Sequence, residues 1–277
     1  MAEHRLNLSD AVSAHVATLV TDLSEAAAFG RIGTQVAALP PEAELPPTDI
    51  LIQFMGTEPP GGEAIFDPSA RNRVTSEYAN YSTRYSHVAM IAALEEFLRN
   101  LLFILRLGEA ACKNGGKIDR GRYDQIRVEV RKKAREESVQ GLLRIICNRV
   151  YSDSEGWPLT NKPHLARLLS LNRLRHCLIH RRGRVETWDV DKNDSTQIEL
   201  IQVRMFCDDQ EVTSWPFPFN AGQMISIRRL ESAKTWKLGE SVELSAQDCQ
   251  DIAITLSLDV QCLATDAQKV LAEWFGR

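Results

Sequence analysis

No two of the six cysteines (Cys112, Cys147, Cys177, Cys207, Cys249, Cys262) form a Cys-x-x-Cys pair, and none falls at metal-ligand spacing. They read as reduced, mostly buried thiols of a cytoplasmic protein. No long uncharged apolar run is present either. The most apolar segment, 88–107, is interrupted by Glu95, Glu96, Arg99 and Arg106, too many charges for a membrane-spanning helix. Residues 1–6 lack the basic head and apolar run of a signal peptide. The expectation is a soluble, cytoplasmic protein with no membrane partner. A further absence is local: no Asp or Glu occurs between Gly156 and Val185, where Lys162, Arg167, Arg173, Arg175, Arg181, Arg182 and Arg184 all fall. In a chain of formal net charge −4 this is a local positive field, suited to a phosphate-binding groove or to an acidic partner.

Apolar residues make up 44% of the 277, enough to build the core of one large domain or two ordinary ones. Leu8, Val12, Val16, Leu19, Val20 and Leu23 recur at helical spacing after Asn7, which predicts a helix ending near Gly30. Residues 40–62 are then rich in Pro-Pro and Gly-Gly around a short apolar piece at 50–54, a linker or irregular lobe with room for one strand. Residues 1–70 are therefore separated from a helical bundle over 71–277. That bundle opens with a long helix over 75–107 whose C-terminal half is apolar almost all round, so it needs partners on every side, within the bundle or across a dimer interface.

A helix over 123–151 follows. Its front half interleaves Arg127, Arg131, Lys132, Lys133 and Arg135 with Glu129, Glu136 and Glu137, which reads as a solvated face ahead of a binding site. The next helix starts with Pro163 in its first turn and stops at Gly183, expected in a left-handed conformation. Short β-rich pieces at 198–203, 224–227 and 241–244, separated by turn residues, predict a small antiparallel insertion over about 184–245. A last helix over 246–275 has Ser245 at its N-cap position. The fold class is mainly α, an antiparallel helical bundle with a β insertion between the last two long helices.

The segment with most chemistry is 173–184, holding Arg173, Arg175, His176, His180, Arg181, Arg182 and Arg184 at a helix C-terminus. Arg and His there are also favoured by complementing the helix dipole, so capping is the plain reading. His176 and His180, four apart, share a face and invite comparison with a metal pair, but no carboxylate or cysteine spacing completes a site. His180 lies five residues after Arg175 and seven after Arg173, so the stretch satisfies the pattern Arg, four to six residues, His, which the chain matches nowhere outside it.

With a polar residue directly after the Arg, the segment resembles the motif helix of the HEPN superfamily, helical-bundle proteins that include ribonucleases of toxin, abortive-infection and CRISPR-linked systems. The resemblance covers the helices from about 75 to 275 and leaves the first 70 residues and the β insertion without a counterpart. It implies an HEPN-like bundle forming a homodimer, with motif helices facing across a cleft that makes a composite, metal-independent ribonuclease site. By the resemblance Arg175 and His180 are catalytic and His176 orients or binds. Arg173, Arg181 and Arg182 join His176 in contacting RNA. Glu95 and Glu96 are candidates to support the arginines from a neighbouring helix. No cofactor is called for, and the partners implied are RNA, a second copy and an antitoxin or other defence-system protein.

The chemistry stands beside the resemblance. A near-neutral His moves a proton during attack by a 2′-hydroxyl, and a guanidinium holds the phosphate oxygens as charge builds. On an ideal helix, residues five apart are about 140° apart, so Arg175 and His180 do not share one face, which gives a second subunit a role. The alternative is a non-catalytic HEPN-like module that binds RNA, a nucleotide or a protein.

Overall fold

The structure is a computed structural model that describes residues 7–37, 68–151, 161–181, 183–191, 193–212, 218, 220 and 222–276, with backbone only at 36–37 and 68–78. Among them are α1 (Leu8–Ala37), α2 (Pro68–Lys113), α3 (Arg120–Glu136), α4 (Val139–Val150) and α5 (Pro163–His180), then β1 (Ser195–Cys207), β2 (Gln210–Glu211), β3 (Ile225–Lys237) and α6 (Ala246–Trp274). The class is mainly α with a small antiparallel sheet between the last two long helices, as expected. The expected strand at 50–54, most of the Pro/Gly-rich segment and Arg182 lie outside the described residues.

α2 is the axis of the bundle. Leu94, Leu98, Leu101, Leu102, Leu105 and Leu107 are all buried, and α2 packs against each of the other five helices. Its apolar girdle is thus satisfied inside one chain. Each buried leucine contributes roughly 1.5–3 kcal/mol relative to an exposed one. α1 lies along α2 and α6, and Val12, Leu19 and Leu23 belong to the same core as the rest of the bundle.

Several boundaries differ from expectation for physical reasons. α1 continues through Gly30 to Ala37, because this glycine serves close packing: a Cβ there would sit 3.2 Å from the Ser86 side chain and 3.3 Å from Cys249 Sγ. α2 likewise passes Gly108, over which Leu271 and Trp274 of α6 are seated, and stops only at Lys113. The single helix expected over 123–151 is two. Ser138 takes extended backbone (φ −74°, ψ 168°) and its hydroxyl accepts from the Gly141 N–H, capping a new helix. At α6 the expected Ser245 cap is present and forms a reciprocal capping box with Asp248.

The sheet order is β2-β1-β3, and β1 and β3 pair antiparallel from Ser195↔Lys237 to Cys207↔Ile225. β3 is far longer than the 224–227 piece expected. Its Arg228, Arg229, Lys234 and Lys237 hide the strand pattern while protecting an exposed edge from pairing with other chains. Residues 241–244 form no strand, only a bridge between Ser241 and Arg184; Val242 and Leu244 are buried nonetheless. β1 packs against α5 and α6, which fixes the sheet beside the motif helix.

Candidate functional site

α5 buries Leu165, Leu168, Leu171, Leu174, Cys177 and Leu178, and Arg167 is buried with them in a bidentate pair with Asp259 of α6. Pro163 opens the helix, as expected, since it has no N–H to leave unpaired. This buried stripe sets the orientation of the rest: Arg173 and His180 are exposed, and Arg175 and His176 are half-buried beside the stripe.

A polar patch interrupts the α2–α5 contact. His87 of α2 is fully buried, and its Nε2 lies 3.1 Å from the Leu171 carbonyl. A carbonyl only accepts, so Nε2 carries the hydrogen and Nδ1 the lone pair. Burial lowers the His87 pKa to about 4, and the nearby Arg175 charge pushes the same way. Of the five buried side-chain polar atoms without a hydrogen-bond partner among the described residues, two are here, His87 Nδ1 and Arg175 Nε, and a third, Asn172 Oδ1, is on the same helix as Arg175. Arg175 therefore stands at the mouth of a polar seam in an otherwise apolar interface.

The helix end is held by a compact set of bonds. Gly183 has φ +81°, as expected for a stop, and donates its N–H to the Cys177 carbonyl at 3.0 Å. A Cβ at Gly183 would come within 2.8 Å of the Arg84 guanidinium carbon, so α2 places Arg84 against the backbone at the end of the motif helix. Asp189, 2% exposed, accepts from Arg181 Nη1, from the Glu186 N–H at 3.0 Å and from the Cys177 thiol at 3.2 Å. Arg181 also donates to Glu186. Burial and the Asp189 carboxylate hold the Cys177 thiol up at about 12, so it is no nucleophile.

The acid-free stretch is consequently less positive than its sequence implies. Acids from outside it neutralise Arg167 (Asp259) and Arg181 (Asp189 and Glu186). Arg181, expected to contact RNA, instead braces the loop after α5. Glu95 and Glu96, expected to support the motif arginines, pair with Arg99 on their own helix. What the structure does bring together is His176 and His180, whose rings stack at 5.6 Å and 25°. Burial, followed by the nearby Arg175 charge, lowers the His176 pKa. No hydrogen bond joins Arg175 to His180 among the described residues, in keeping with their separation around the helix. Nor do three or more His, Cys, Asp or Glu side chains come together there in a metal-ligand cluster.

Sequence reasoning missed Arg84, His87, Asn172 and Asp189. Asp189 had a signal, as one of the first two acids after the acid-free stretch. His87 and Arg84 had none, because only the packing of α2 on α5 brings them to the motif. No protein-family model, curated protein or solved structure matches the chain. Among the described residues no helix is long and apolar enough to cross a membrane.

Proposed function

We propose that the protein is a metal-independent endoribonuclease of the HEPN kind, acting in bacterial defence or as a toxin. Its site is closed by two copies of the chain around Arg175 and His180. The observation that supports this most is the juxtaposition at the end of α5: exposed His180 stacked on His176, with Arg175 adjacent and the nearby acids engaged by Arg181. In the reaction His180 takes the proton of a 2′-hydroxyl as its oxygen attacks the adjacent phosphorus. The 5′-oxygen leaves, taking up a proton, and the products are a 2′,3′-cyclic phosphate and a 5′-hydroxyl. Arg175 and Arg173 hold the non-bridging oxygens, and His176, its ring stacked on that of His180, orients it. Ile179, a large apolar residue 41% exposed within the motif, gives a second copy an apolar surface beside the site.

The test is cleavage of a mixed-sequence RNA in EDTA by wild type, His180→Ala and Arg175→Ala. The expected outcome is cyclic-phosphate fragments from wild type and a loss of at least about a hundredfold in either variant. Undiminished cleavage by His180→Ala overturns the assignment. The non-catalytic module is the reading favoured if wild type binds RNA without cutting it, and the missing Arg175–His180 contact in one chain is the observation on its side.

A further inference from the structure

A second basic feature lies between α2 and α3. Ile126, Val130 and Ala134 are the buried row of α3. The positions one residue further on, Arg127, Arg131 and Arg135, are therefore held as a row along the rim of that contact, rising about 6 Å per step. They line a cleft of about 620 Å³ with Glu96, Arg99, Asn100 and Phe103 of α2 on the opposite wall and Val130 and Ala134 as an apolar floor. The three α3 arginines are exposed, and none makes an ion pair or side-chain hydrogen bond to a described residue. Arg99 is balanced by Glu95 and Glu96, yet its Nε is buried and unpartnered. Four guanidiniums thus face one lining carboxylate. The row borders a concavity, and the acids interleaved with it in sequence, Glu129, Glu136 and Glu137, are absent from the cleft's lining; Glu129 accepts from Gln125 and pairs with Arg122.

We propose that this cleft binds the phosphate backbone of a single-stranded nucleic acid. A row of arginines about 12 Å long suits charges strung along a polymer, and a duplex with its convex phosphate surface does not enter a cleft of this size. Phe103, set perpendicular to Tyr123, and the apolar floor accept sugar and base surface, while Glu96 and Asn100 offer polar groups to base edges. The site is separate from the motif. Along α2, Asn100 is about 20 Å from His87, and Glu96 and Phe103 lie about 160–180° round the helix from it. The inference therefore does not rest on ribonuclease activity: a chain that never cleaves still binds the strand here.

The experiment titrates a fluorescent single-stranded 2′-O-methyl RNA oligomer, which has no 2′-hydroxyl to attack, against wild type and the triple variants R127A/R131A/R135A and R127K/R131K/R135K over a range of salt. Circular dichroism spectra and melting curves confirm that each variant is folded. Wild type is expected to bind with log K against log salt falling at a slope of about −2 to −3, the value for three or four phosphates on a single strand. The triple alanine variant is expected to lose at least about tenfold in affinity and about two units of that slope, and the lysine variant to keep the slope. Binding by the triple alanine variant equal to wild type overturns the proposal. So does competition by inorganic triphosphate or by polyglutamate as effective as competition by unlabelled oligomer, which would mark a site for small phosphates or for an acidic protein.

Discussion

Asp189 ties the end of the motif helix to the loop that follows, and its removal has a calculable cost. Asp189→Ala removes the acceptor of the Glu186 N–H and one of the two acceptors of Arg181, 19% exposed as a side chain, and of the Cys177 thiol, which keeps the Arg184 carbonyl. Breaking a buried pair by removing one partner costs about 3–5 kcal/mol. Arg181 retains Glu186 and some access to water, so the lower end applies, about 3 kcal/mol. Against a domain stability of about 5–15 kcal/mol this is a large share, readable as a shift of the urea midpoint followed by far-ultraviolet circular dichroism. Arg181→Ala strands the buried carboxylate and costs a similar amount. The double variant is then less destabilised than the sum, with a coupling of about 2 kcal/mol. Glu186, 53% exposed as a side chain, is the control, and Glu186→Ala changes stability by at most about 1 kcal/mol. An Asp189→Ala protein within about 0.5 kcal/mol of wild type would refute this account of the helix end.

Three further outcomes are expected. His87 is held neutral with its pKa lowered from 6.5 to about 4, so the unfolded chain binds the proton first. The stability this contributes is complete above pH 6.5 and is lost as pH falls toward 4, by up to about 3 kcal/mol, and His87→Gln flattens that part of a stability-against-pH curve. Gly183→Ala forces a side chain onto φ +81° and into the Arg84 guanidinium. It lowers stability by about 1–3 kcal/mol in chemical denaturation, whereas Gly222→Ala, also at positive φ but in open space, suffers only the backbone part. A thiol reagent at neutral pH modifies Cys112 and Cys262, which are exposed, and reaches the buried Cys147, Cys177, Cys207 and Cys249 only after denaturation; four or more fast thiols in the native protein would contradict the packing.

Much of the fold was legible because helices announce themselves by apolar period and by caps: Pro163, Gly183 and Ser245 sit where their chemistry placed them. What was not legible depends on neighbours. Gly30 and Gly108 look like helix ends, yet each is a place where another helix comes close. The break at Ser138 is a local cap inside a charged run. β3 is concealed because an exposed edge strand needs charge more than alternation. At the candidate site the motif itself was visible, but its electrostatics were not, since Asp189 and Asp259 reach Arg181 and Arg167 across 8 and 92 positions of sequence. The apolar girdle of α2, which allowed a dimer interface, is consumed by the bundle. The features left to a second subunit are the helical separation of Arg175 from His180 and exposed Ile179.

That second subunit is the central claim, and the separation of the two His180 side chains in a crystal structure of the assembled protein tests it most directly. A composite site predicts a two-fold dimer with the ends of its α5 helices facing each other across one basic cleft. The two His180 rings would then be separated by about one helix diameter, on the order of 10–12 Å. A monomer, or a dimer with the His180 side chains on opposite outer surfaces, would contradict it.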